Sequence, residues 1–209
     1  MEFYKVIENR RSIRDFSQKE VEEEKISRIL DAGIKAPSYN HKREWDFMLI
    51  KDPGLRKAVV KTEDLSGKIS PQNLKNILFE EDNFMADMYL DAIPKQKSML
   101  LQAPELLIVV YKPKTEIKES QNIYDLNCFA SVWCCIENIL LAITEEDLYG
   151  VTYIPQRTVE MKSLLNIPKE LEIAALIPFG QKADLAVVPK QKEREVEKHI
   201  HINKWGETI

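Results

Sequence analysis

Cysteine and histidine are scarce in this chain, three of each in 209 residues. Cys128, Cys134 and Cys135 fall within one apolar segment without C-x-x-C spacing, so they read as small buried hydrophobes and not as a redox pair. His41, His199 and His201 form no H-x-x-x-H pattern, which argues against a zinc site. No G-x-G-x-x-G is present, so a tightly held dinucleotide is not expected. No uninterrupted apolar run approaches the roughly 18 to 20 residues of a membrane span, and MEFYKVIENRRSIRDF has no signal-peptide core; the expectation is a cytoplasmic protein without membrane partners. Lys and Arg number 30 against 34 Asp and Glu, a formal charge of −4, which disfavours wholesale nucleic-acid binding. Repeats, low-complexity tracts and Gly/Ser linkers are also lacking. A chain this long can bury about 70% of its unfolded surface, so one self-sufficient domain over 1–209 is expected.

What is present reads as α+β. Ser17 and Glu20 make an S-x-x-E capping box ahead of Val21, Ile26, Ile29, Leu30 and Ile34, predicting a helix from Ser17 to about Lys35. Strands are predicted at 45–50, 105–111, 151–154, 173–177 and 185–188; the run at 105–111 is continuous enough to be buried on both faces. Residues 122–147 form a helix apolar nearly all round, suited to a central position or a subunit interface. Short helices follow Gly54 and Thr158, and a last one spans about 193–203, with Trp205 as a late apolar anchor. Residues 62–98 are polar and weakly periodic, read as one or two helices or a lid.

Chemistry concentrates at Arg10-Arg11-Ser12-Ile13-Arg14, three guanidinium groups and a hydroxyl within five residues. Arg suits bidentate binding of phosphate, and the hydroxyl can complete the shell. The same run also reads as a solvated basic turn paired with Glu8, Asp15 and Glu22-Glu23-Glu24. The second candidate, Ala36-Pro37-Ser38-Tyr39-Asn40-His41-Lys42-Arg43-Glu44-Trp45, carries more donors and acceptors than a connection needs, although an ordinary exposed loop is the alternative.

Together these segments resemble the nitroreductase family of flavin enzymes. Its RRSxRxF motif is met by Arg10-Arg11-Ser12-Ile13-Arg14-Asp15-Phe16. Its Ala-Pro-Ser loop is met by Ala36-Pro37-Ser38 with Asn40, Trp45 and Phe47. Ala103-Pro104, Glu137-Asn138-Ile139-Leu140, Leu148-Tyr149-Gly150 and Ile177-Pro178-Phe179-Gly180 follow in the family's order. The resemblance implies a nitroreductase-like fold: a central, mainly antiparallel sheet flanked by helices, with the long helix at a homodimer interface and two FMN molecules there. It implies that Arg10, Arg11 and Ser12 hold the FMN phosphate and ribityl chain. Arg14 would lie toward the pyrimidine edge, where positive charge favours the reduced flavin. Pro37, Ser38, Tyr39 and Asn40 would reach the flavin from the partner subunit. Pro155 and Gln156 would cover the ring near N5, with the Gln156 N–H as donor because proline has none. Gly180 falls in the last matched motif and counts among the cofactor-site residues, and Lys190 or Lys192 would complete the phosphate site. The implied activity is ping-pong transfer of hydride from NADH or NADPH, a transient substrate, through N5 to a small electron-poor acceptor such as a nitroaromatic, quinone or enone, whose pocket residues 62–98 would line. A flavin-binding protein without turnover, or another reaction such as reductive dehalogenation, is the alternative. Two departures stand out: Asn40-His41 replaces the family's His-Asn, and Arg43-Glu44 replaces Gln-Pro.

Overall fold

A computed structural model describes residues 2–78 and 83–207. Its organising strand is β2 (Glu105–Tyr111), buried at all seven positions. On one side β2 pairs antiparallel with β1 (Trp45–Leu49), and on the other with β4 (Glu172–Gly180). A two-residue β3 (Tyr149–Gly150) closes the order β1-β2-β4-β3, again antiparallel. Successive side chains of a strand point to opposite faces. Leu107, Val109 and Tyr111, with Ala175, Ile177 and Phe179, therefore pack on α2 (Glu23–Ile34) and α6 (Asn127–Glu145). Leu106, Ile108 and Val110, with Ile173 and Leu176, pack on the other side with Val59 and Val60 of α3 (Pro53–Thr62), Met99 and Leu100 of α5 (Asn83–Gln102) and Met161 of α7 (Thr158–Leu164). Helices on both faces explain why β2 needs no polar alternation.

Within α6, Val132, Cys135, Ile136, Ile139 and Ile143 are buried at helical spacing. Gly33 lets α2 approach it: a Cβ there would lie 2.8 Å from Ile139 Cγ1 and 3.1 Å from Phe47 Cζ. Residues Ile123–Glu145 are long and apolar enough, by length and composition, to cross a membrane. No uninterrupted apolar run announces this, because Asn127, Ser131 and Asn138 break it. Cys128 and Cys135 are buried as expected, whereas Cys134 is exposed.

Several expectations are corrected. The second helix begins at Glu23 and not at Ser17, because Ser17 N–H is spent on Gln181 O (2.9 Å) and Phe16 bridges Lys182, so the segment joins a sheet edge. Of the run 151–154, Tyr153 forms an isolated bridge to Leu176 and Val151 N–H donates to Pro178 O (3.3 Å), while β3 lies just before it. Leu185–Val188 is no strand: Leu185 is 97% exposed and the segment pairs with nothing in the sheet. The last helix shrinks to a single 3-10 turn at Val196–His199. Trp205 is not in the core; it is 90% exposed and lies against His201, 4.2 Å between ring centroids with the rings tilted. Segment 62–98 resolves into α4 (Pro71–Leu78) and the start of α5, which runs through Pro94; residues 79–82 lie outside the described residues.

Candidate functional site

The N-terminal basic motif is laid down as an extended ribbon after α1 (Phe3–Asn9). Ser12 bridges Gly150 of β3 in parallel, Ala183 N–H donates to Asp15 O (2.9 Å), and Phe16 bridges Lys182. Alternation along this ribbon turns Ile13 inward, 1% exposed, and leaves Ser12 and Arg14 on the other side. There a cavity of about 560 Å³ opens. Arg10, Arg11, Ser12 and Arg14 line one part of it, joined by Lys190 and Lys192 from the chain after β4. Gln191 Nε2 ties that returning segment to Arg10 O at 3.2 Å. Arg11 bonds the carbonyls of Glu8 and Arg10, which fixes its stem beside the opening.

The facing wall is α5, which begins within the segment 62–98 that the sequence reading gave to the acceptor pocket without naming its residues. Phe84, Asp87, Met88 and Asp91 recur at helical spacing and all line the cavity. Arg14 lies 3.5 Å from Asp91; Lys95 bonds both Asp91 and Asp15, the latter at 2.6 Å. Burial lowers the pKa of Arg14, with Asp91 and Asp15 opposing that shift. For Lys95 burial works against the charge, yet the hydrogen bonds to Asp15 and Asp91 prevail and its pKa is raised. The result is a chain of alternating charges stapling α5 to the arginine ribbon.

The other anticipated site residues lie elsewhere. Pro37, Ser38, Tyr39 and Asn40 do not line this cavity. Tyr39 N–H donates to Ser131 Oγ (2.9 Å), its phenol bonds the phenol of Tyr124, and Arg43 N–H donates to Ser38 Oγ (3.0 Å). Asn40, His41 and Arg43 all have positive φ, 50°, 53° and 47°, a backbone that L-residues seldom adopt. Gly180 also lies outside the cavity, packed so tightly that a Cβ would sit 2.6 Å from Pro104. Pro155 is buried, and the Gln156 N–H is already committed to Glu63 Oε2 at 2.8 Å. The donor assigned to flavin N5 from the sequence is thus engaged within the protein. Glu63 drew no notice in the sequence, because a carboxylate just past a helix reads as solvated.

These residues fit a phosphorylated aromatic ligand. Cationic and hydroxyl donors gather beside Ser12, and Phe84, Met88, Val187 and Pro189 supply apolar surface in the same space. A sequence model of the nitroreductase family matches residues 7–181. The chain belongs to the nitroreductase family. An iodotyrosine deiodinase of Haliscomenobacter hydrossis is 26% identical over 200 residues, 93% of this chain and 85% of that one. In fold, the chain resembles an oxidized iodotyrosine deiodinase bound to FMN and 3-iodo-L-tyrosine, with a TM-score of 0.70 at 22% identity over 98% of this chain and all of that one. A Bacteroides fragilis nitroreductase with bound FMN gives 0.67 at 20% identity, again over 98% of this chain and all of that one. The fold class expected from the sequence, α+β with a nitroreductase-like antiparallel sheet, is what the chain has.

Proposed function

We propose that the protein is an FMN-dependent reductase that takes electrons from NADH or NADPH and delivers them to a small, electron-poor aromatic acceptor. The observation that carries this reading is the 560 Å³ cavity, which joins Arg10, Arg11, Ser12, Arg14, Lys190 and Lys192 to the apolar wall of Phe84 and Met88. FMN bound there would supply the exchange of electrons between donor and acceptor. Arg10, Arg11 and the two lysines neutralise a phosphate, and Ser12 adds a hydroxyl contact. Arg14, held at half-depth by Asp91, brings a fixed positive charge toward the ring end, where electron gain is favoured by it. Phe84 and Met88 offer soft, flat surface to a planar acceptor and exclude water from it.

Association as a homodimer belongs to the same reading. Its support is the apolar surface a single chain leaves open, with Tyr4 76%, Leu185 97% and Trp205 90% exposed, together with the shaped loop at 38–43, which does not line the arginine cavity of its own chain.

Similarity to iodotyrosine deiodinases favours a second reading, reductive removal of halogen from a halogenated aromatic. One experiment addresses both. Purified protein should be yellow and bleach anaerobically with NADH or NADPH. Reoxidation by a quinone or nitroaromatic supports the first reading, and reoxidation by 3-iodo-L-tyrosine with release of iodide supports the second. Colourless protein that does not take up added FMN would refute both.

A further inference from the structure

Glu63 follows α3 directly, yet its side chain turns inward and is only 7% exposed. Its carboxylate gathers three donors from residues about ninety positions away: Tyr153 Oη at 2.7 Å and Gln156 N at 2.8 Å on Oε2, and Arg157 N at 3.1 Å on Oε1. Asp64, next in sequence and left-handed at φ 52°, adds an outer contact to the Arg157 guanidinium at 3.5 Å. Tyr153 is fixed from its other side by paired backbone bonds with Leu176, 2.7 and 2.8 Å. The loop 153–157 is therefore clamped between β4 and one buried carboxylate. It begins only three residues beyond the Ser12–Gly150 bridge, roughly 10 Å of extended chain. The arginine ribbon runs parallel to it, so the clamped loop and Arg14 advance in the same direction from that bridge.

A buried carboxylate that accepts several hydrogen bonds orders every donor it holds, and losing it strands all of them. We propose that Glu63 is a positioning residue of the cofactor site: by occupying the N–H groups of Gln156 and Arg157 it sets the path of loop 153–157 and, through that path, the balance between oxidised and reduced FMN. This rests on the FMN reading given above. Glutamine at this position cannot substitute, because its amide nitrogen only donates and leaves at least one of the three donors without an acceptor.

The test uses full-length protein with FMN, comparing Glu63→Gln and Tyr153→Phe with wild type by amide hydrogen exchange and by the flavin midpoint potential. Tyr153→Phe removes one donor but keeps the carboxylate's charge, so its potential reports loop placement and not a lost charge. In Glu63→Gln, exchange at Gln156 and Arg157 should quicken at least tenfold. The ratio of affinities for oxidised and reduced FMN should change about tenfold, close to 30 mV for two electrons. Tyr153→Phe should move both readouts the same way by less, which keeps the test open if Glu63→Gln fails to fold. Unchanged exchange, or faster exchange with an unmoved potential in both variants, overturns the inference while leaving the reductase reading intact. Wild-type protein that binds no FMN overturns that reading and the inference with it.

Discussion

The Arg14 guanidinium and the Asp91 carboxylate, 77 residues apart in sequence, meet at 3.5 Å across the mouth of the arginine cavity. Asp91 also bonds Lys95, which in turn bonds Asp15. Asp91→Asn should loosen α5 from the ribbon. Because the pair is partly solvated, the expected loss of global stability is small, ~0.5–1 kcal/mol. The sharper readout is local: faster amide exchange along the first turns of α5, with the sheet strands unaffected.

Arg10→Ala combined with Arg11→Ala should release FMN from a protein that stays folded. Two charge-assisted contacts at ~1.5–3 kcal/mol each predict a fall in affinity of at least about 100-fold. Lys192→Ala should cost about tenfold or less. Fluorescence titration of apo-protein with FMN measures both variants against wild type, and undiminished binding by the double variant would remove the phosphate assignment.

The basic motif was readable because it is contiguous: five residues carry their own chemistry, and the ribbon that presents them alternates with Ile13 as its buried peg. Lys190 and Lys192 could be named as candidates, and the fold brings both to the same cavity. Strand 105–111 was equally plain, since burial on both faces leaves no polar register to mistake. Other features depend on partners far along the chain. The Ser17 capping box was a sound local signal overruled by the bond to Gln181. Leu185–Val188 has strand-like side chains but no neighbour to pair with. Glu63 is invisible because nothing near position 63 announces Tyr153, Gln156 and Arg157. Segment 62–98 is assigned to the acceptor pocket from the sequence only as a whole, because Phe84, Met88 and Asp91 form a face only once the ribbon lies opposite.

Gly180→Ala tests the packing at the end of β4. The new methyl would meet Pro104 ring carbons at 2.6 Å in a buried position, so something rigid must shift. Overpacking of this kind costs ~1–3 kcal/mol. At about 2–4 °C per kcal/mol for a chain of this size, thermal unfolding should fall by several degrees. A melting temperature unchanged from wild type would show that the strand end gives way freely.

Alkaline pH should destabilise the fold in a defined window. Burial pushes the Cys135 thiol up to about 12 from 9.0, with Cys134 adding to it. Burial, with Glu172 and Cys128, takes Tyr111 to about 12 from 10.0. Both groups keep their protons in the folded chain at pH values where the unfolded chain has lost them. Their contribution is intact below about pH 9 and declines as pH rises toward 12. Urea midpoints followed across that range should fall, and Cys135→Ala should flatten the early part of the decline. A flat profile in the wild type would contradict the burial of both side chains.

The left-handed run through Asn40, His41 and Arg43 has a consequence for assembly. Its shape is held from inside one chain, by Ser131 on the Tyr39 amide, by Tyr124 on its phenol and by Ser38 on Arg43. Whatever docks on this corner meets a surface that needs no ordering at the moment of contact, so little conformational entropy is left to lose. Encounter there should resemble the meeting of two finished parts, with slow departure and not slow folding setting how long they stay together.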